Sequence, residues 1–171
     1  IAAVEAQGDA DPSLRVKSYI AWEPMLIKAA GQSVTAIHAG RSSQDILSTQ
    51  RTAILRDETL EFAAGLEDVI GDLLELADRH RDTIVPSYTN GVAAQPTSYA
   101  HYLLGIAASL LRVRERLSEG YARFNMSAMG ATVLNGTGWP LDRDAMAHAL
   151  GFPRPVENAL DATSLAPVDM P

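Results

Sequence analysis

The sequence predicts an all-α chain built around one very long helix, and three observations carry that prediction. From Ile46 to His80 apolar residues (Leu47, Ala53, Ile54, Leu60, Ala64, Leu66, Val69, Ile70, Leu73, Leu74, Leu76 and Ala77) recur largely at threes and fours. Arg51, Arg56, Asp57, Glu61, Glu67, Asp68, Asp72 and Glu75 fill much of the opposite face, which is the pattern of an amphipathic helix. A second run of the same period, Tyr102, Leu103, Ile106, Leu110, Leu111, Val113, Leu117 and Tyr121, follows a proline-flanked connection. No segment alternates apolar and polar residues for long enough to promise a sheet.

Residues 1–12 are mostly small and polar, and Asp11-Pro12 makes a plausible helix entry, since proline is tolerated in the first turn. The spacing then predicts a helix over residues 13–30, with a kink or break at Pro24 and a stop at Gly31. Ile37-His-Ala-Gly-Arg-Ser-Ser-Gln-Asp45 reads as a polar turn opening the long 46–80 helix. At 1.5 Å per residue that helix would run on the order of 50 Å, far beyond the globular average. Only a bundle or coiled assembly offers such a helix a partner along its length. Pro86 is the expected break, and Pro86-Ser-Tyr-Thr-Asn-Gly-Val-Ala-Ala-Gln-Pro96 the connecting loop, with Asn90-Gly91 as its turn signal. Thr97 or Ser98 caps the next helix, which ends near Phe124. A Gly- and Asn-rich passage fills 125–140, Asp142 precedes a short helix over 143–150, and residues 156–170 are too mixed to assign. Residues 1–45 are expected to form an N-terminal helical region and 46–171 part of a central bundle domain continuing beyond the chain.

The chain has 171 residues, 21 acidic against 14 basic, and a net charge of -7. A nucleic-acid partner is not expected, because a phosphate-binding surface needs the opposite balance. With no cysteine there is no disulfide framework, zinc-thiolate site or cysteine nucleophile. No stretch approaches the apolar length of a membrane span, and no signal peptide is visible. No metal and no cofactor are expected, and a cytoplasmic location is. The glycines of Met129-Gly-Ala-Thr-Val-Leu-Asn-Gly-Thr-Gly138 match no nucleotide-binding fingerprint, lacking the lysine and the preceding strand.

Two hydroxyl- and amide-rich segments stand near the ends of the long helices: Ser42, Ser43 and Gln44, then Ser87, Thr89, Asn90 and Gln95. Such groups bind a carboxylate through neutral donors, helped by a helix N-terminus; capping and turn formation use the same residue types. His38 and His101 lie nearest these segments, and no histidine pair has His-Glu-x-x-His spacing. Arg41 suits bidentate carboxylate binding or a surface ion pair.

The ordered set of segments resembles the argininosuccinate lyase branch of the fumarase/aspartase superfamily. Residues 37–45 resemble that branch's Gly-Arg-Ser-Arg-Asn-Asp box, and residues 86–96 its Gly-Tyr-Thr-His-x-Gln-x-Ala-Gln-Pro box. Gly136-Thr-Gly-Trp-Pro-Leu-Asp-Arg143 with Leu150-Gly-Phe152 resembles its Gly-Thr-x-Phe-Pro-Ile-Asp-Arg passage and the Leu-Gly-Phe after it; Asn158-Ala-Leu-Asp-Ala-Thr-Ser164 completes the set. The resemblance implies a homotetramer around a bundle of very long helices, with active sites shared between subunits. It implies a carbon–nitrogen lyase that eliminates an amine or guanidine from an N-substituted aspartate, such as argininosuccinate, to release fumarate. A serine on a mobile loop takes the proton next to a carboxylate and an aci-carboxylate forms.

Carried over by position, Ser42, Ser43 and Gln44 would contact a substrate carboxylate together with Gln95, and Thr89 and Asn90 would serve the reaction itself. His38, Arg41 and His101 would support them, and Asn158, Asp161 and Ser164 would approach a neighbouring subunit's site. The chain departs from the pattern at informative places. Asn90 stands where the branch has a histidine, Ser43 where it has arginine, Gln44 where it has asparagine, and Val92 where it has the first glutamine. Leu165-Ala-Pro replaces the charged residues that usually follow the last box. The serine loop is expected downstream of residue 171. The departures point to a different N-substituted aspartate, or to a catalytically silent helical homo-oligomer of the same superfamily.

Overall fold

A continuous helix, α2, spans Ser43–Arg79, 37 residues in all, and takes in nearly all of the predicted 46–80 run. In the computed structural model, residue 6, residues 8–14 and residues 19–167 are described. A 3₁₀ turn at Pro12–Leu14 comes first, then helix α1 (Tyr19–Ala30) and a 3₁₀ segment at Gln32–His38. After α2 come strands β1 (Ile84–Thr89) and β2 (Val92–Ser98), helix α3 (Tyr99–Phe124), helix α4 (Arg143–Ala149) and a π-helical turn at Asp161–Leu165. Residues 15–18 of the predicted first helix lie outside the described residues. Pro24 sits inside α1 without ending it, and Gly31, at φ 83°, follows the helix.

One prediction is corrected. The fold is predominantly helical rather than all-α, because the connection read as a loop is an antiparallel β-hairpin. Pro86 does not end α2; that helix has already closed, with the His80 amide donating to Ala77 O at 3.1 Å, and Pro86 lies within β1 facing Pro96. Each strand of a two-stranded sheet has an outer edge, where a missing N–H costs the ladder nothing. Thr89 pairs with Val92, so Asn90-Gly91 is a two-residue turn. Both turn residues have positive φ, 49° and 79°, as a type I′ hairpin requires. The turn signal was visible in the sequence. The strands were not, since two prolines and a bulge interrupt their alternation.

Contacts divide the chain into two compact units, Ile54–Arg123 on one hand and Ile1–Ala53 with Phe124–Pro171 on the other. The units part inside α2. In the Ile54–Arg123 unit the rest of α2 and α3 form a pair: Ala77, Ala100 and Leu103 are buried together, flanked by Leu73, Leu76 and Tyr99. Arg114 Nε donates to Glu67 Oε1 at 2.8 Å, and the Tyr99 amide to Thr83 O at 2.8 Å. Ser98 caps α3, its hydroxyl accepting from the His101 amide at 3.1 Å.

In the other unit Ala128, Ala131, Val156 and Ala162 form a small core against Met126 and Ala159. Ser127 exchanges backbone hydrogen bonds with Arg154 and Val156 at 3.1 and 2.8 Å. Asp142 caps α4 by accepting from the Ala145 amide at 2.8 Å. The Arg143 guanidinium donates to the carbonyls of Met129, Val156 and Glu157, so a single side chain fastens the Gly-rich passage to residues 156–157.

Candidate functional site

The first box folds as a reciprocal helix cap. The Ser42 hydroxyl accepts from the Gln44 amide at 3.2 Å, while Asp45 Oδ1 accepts from the Ser42 amide at 2.9 Å. This is the two-way exchange of a capping box, made with aspartate in place of glutamate. Ser43 and Gln44 therefore occupy the first turn of α2, where backbone N–H groups lack helical partners and the helix dipole favours an anion. His38 closes the 3₁₀ segment and Arg41 follows it, both half-buried.

Asp45 is fully buried. Its Oδ2 accepts from the amides of Gly130 and Thr132, each at 3.0 Å, and the Thr132 hydroxyl donates to Gly40 O at 3.1 Å. The 37–45 segment is thus tied to the Gly-rich passage at two points. Sequence reasoning passed over Asp45, although Ser42-x-x-Asp45 carries a capping-box signature.

The third region is held to the same passage. Asn158 Oδ1 accepts from the amides of Leu160 and Asp161 at 2.9 and 3.0 Å, opening the π-helical turn. Thr163 is buried; its hydroxyl donates to Val133 O and, at 3.0 Å, to Ala159 O. Ser164 is exposed beside it. Among the predicted residues, His38, Arg41, Ser42, Ser43, Gln44, Asn158, Asp161 and Ser164 all belong to this unit.

The remaining candidates belong to the Ile54–Arg123 unit. Thr89 and Asn90 are exposed at the hairpin tip. Pro86 pairs with Pro96 and Tyr88 with Ala93, so Ala94 and Gln95 stand opposite the single residue Ser87. Gln95 therefore sits at a β-bulge, a device that re-aims a side chain. His101 is exposed in the first turn of α3 and lines an open hollow with Ser87, Thr97, Tyr102 and Ile106. Thr89 and Asn90 are not among the residues of that hollow. Among the described residues no cluster of three or more His, Asp or Glu is arranged to hold a metal ion.

The profile of a family described as lyase matches residues 5–167. An argininosuccinate lyase from a Geobacillus species is 42% identical over 142 residues, which is 83% of this chain and 31% of the relative. The crystal structure of EDDS lyase in complex with formate matches at a TM-score of 0.89 and 33% identity, over 95% of this chain and 32% of that one. A variant of EDDS lyase with bound fumarate matches at the same TM-score, identity and coverage. The chain belongs to the argininosuccinate lyase branch of the fumarase/aspartase superfamily. It spans about a third of the length of the curated lyases it matches. Against the boxes of this lyase branch, Asn90 has a local physical reason: an asparagine at φ 49° adopts the left-handed region more readily than most residues.

Proposed function

We propose that the full-length protein is a carbon–nitrogen lyase that eliminates an amine or guanidine from an N-substituted aspartate and releases fumarate. The observation that supports this most is the seating of the first box at the N-terminus of a 37-residue helix. There the hydroxyls of Ser42 and Ser43, the side-chain amide of Gln44 and the positive end of the helix dipole suit a substrate carboxylate. Removing the proton beside a carboxylate drives charge onto that carboxylate, and oriented donors stabilise it as it grows.

In this reading Thr89 and Asn90 donate from the hairpin tip to a substrate carboxylate or to the leaving nitrogen, and Gln95 adds a carboxylate contact from the bulge, each box serving a site shared between subunits. Asn90 holds geometry but moves no proton, since an amide does not titrate near neutral pH. The proton goes to a serine base on a segment outside these residues, as the resemblance implies. His38, Arg41 and His101 support the two boxes, and Asn158, Asp161 and Ser164 serve a neighbouring subunit's site in a cytoplasmic homotetramer. No metal or cofactor takes part. Losing the arginine and the histidine of the boxes, at positions 43 and 90, removes two cationic or proton-carrying groups, which fits an N-substituted aspartate other than argininosuccinate.

The test is to offer the full-length protein argininosuccinate and a panel of other N-substituted aspartates, following fumarate by its ultraviolet absorbance. Turnover of at least one substrate is expected. No turnover across the panel overturns the reading and favours the silent homo-oligomer, which the loss of the histidine at position 90 would suit.

A further inference from the structure

Asp45 is fully buried and accepts three backbone N–H groups, from Ser42, Gly130 and Thr132. Two of these donors lie on a backbone that bends the wrong way for ordinary residues, with φ 80° at Gly130 and 63° at Thr132. A β-branched residue in that region is strained, and such strain persists only where the surroundings over-determine it. Here the surroundings are the Asp45 carboxylate, which holds the Thr132 amide, and Gly40 O, which holds its hydroxyl at 3.1 Å. Gly40 precedes the donor residues 42–44 and Asp45 follows them. The 130–132 turn therefore grips that short segment from both sides.

We propose that Asp45, with Thr132, is a positioning residue that clamps residues 40–45 so that Ser42, Ser43 and Gln44 meet a substrate carboxylate as a rigid donor set. The proposal rests on the lyase reading given above. A preorganised set binds without first losing conformational freedom, so loosening the clamp weakens substrate binding before it slows chemistry.

The experiment uses the full-length protein. Asp45→Asn leaves one acceptor oxygen and an NH₂ facing three donors. Thr132→Val keeps the shape and the amide but removes the link to Gly40, and it is the milder variant should Asp45→Asn fail to fold. The expected result is a rise in KM of roughly tenfold for Asp45→Asn and about threefold for Thr132→Val, with kcat much less affected. Amide hydrogen exchange should quicken together at residues 42–44 and 130–132 in both variants, while α3 keeps its protection. An unchanged KM in a folded variant, or faster exchange at 130–132 with none at 42–44, overturns the clamp. If the unmodified protein turns over no N-substituted aspartate, the lyase reading fails. Exchange then decides the clamp: coupled acceleration in Thr132→Val supports it, and independent behaviour overturns it.

Discussion

At the scale of single residues, Asn90 does two things that substitutions can separate. Its backbone, at φ 49°, builds the type I′ turn, and its amide is the proposed donor. Asn90→Gly keeps a turn that tolerates positive φ and removes only the amide. In the full-length protein we expect the melting temperature to hold while kcat/KM falls by roughly a hundredfold, the usual cost of a transition-state donor. An unchanged kcat/KM would remove Asn90 from the site. Two glycines show how position sets cost. Gly91 has φ 79°, and an added Cβ would meet nothing within 4 Å, so Gly91→Ala should cost only the left-handed penalty of about 1–2 kcal/mol. Gly40 has φ 66°, and its Cβ would fall 2.8 Å from Trp139 Cβ. Gly40→Ala should therefore cost more, at least about 3 kcal/mol with overpacking added. Thermal melts of the two variants give the order directly.

At the scale of elements, caps carry the helix boundaries. Ser98 was one of two predicted caps for α3 and is the one whose hydroxyl accepts the His101 amide; Asp142 was predicted before α4 and caps it. Asp142→Ala should cost about 1 kcal/mol, seen as a lower denaturant midpoint with an unchanged slope. The hairpin depends on its neighbours. Tyr99 stacks with Tyr102 at 6.4 Å between ring centroids and meets His80 edge-on at 5.3 Å. Those contacts, with the bond from the Tyr99 amide to Thr83 O, close the base of β1–β2. A pair of strands this short is marginal alone, so a sequence window over residues 84–98 holds too little of what stabilises it.

At the scale of the whole molecule, the Ile54–Arg123 unit leaves much apolar surface uncovered. Leu60, Phe62, Val69 and Leu74 on α2 are 46–59% exposed, and Tyr102, Leu104, Ile106 and Leu111 on α3 are 39–61% exposed. Patches of that kind mark interaction sites, which supports the proposed homotetramer. Phe62→Glu should lower the mass seen by light scattering for the full-length protein while the helical circular dichroism signal stays. A tetramer that survives this change would place Phe62 outside the contact. Among the described residues no helix is long and apolar enough to cross a membrane.

What the sequence determined by itself was local. The periodicity of residues 46–80 specifies a helix because most of its apolar residues recur at the threes and fours that bring them onto one helical face. The Asn90-Gly91 pair specifies a tight turn because both residues accept positive φ, and Ser98 and Asp142 specify helix starts because a short side chain reaches its own backbone. The box residues were legible as a set of neutral donors for the same reason, since their chemistry is carried by neighbours in the chain. Only the tertiary structure decided what the second carboxylate oxygen of Asp45 does. Its two donors in the Gly-rich passage lie 85 and 87 residues away, and no local pattern says which distant N–H groups a buried carboxylate will meet. The pairing of β1 with β2 and the hold of Thr163 on Val133 were settled in the same way. Each is a bond between segments whose own preferences are weak, so packing of the folded chain made the choice.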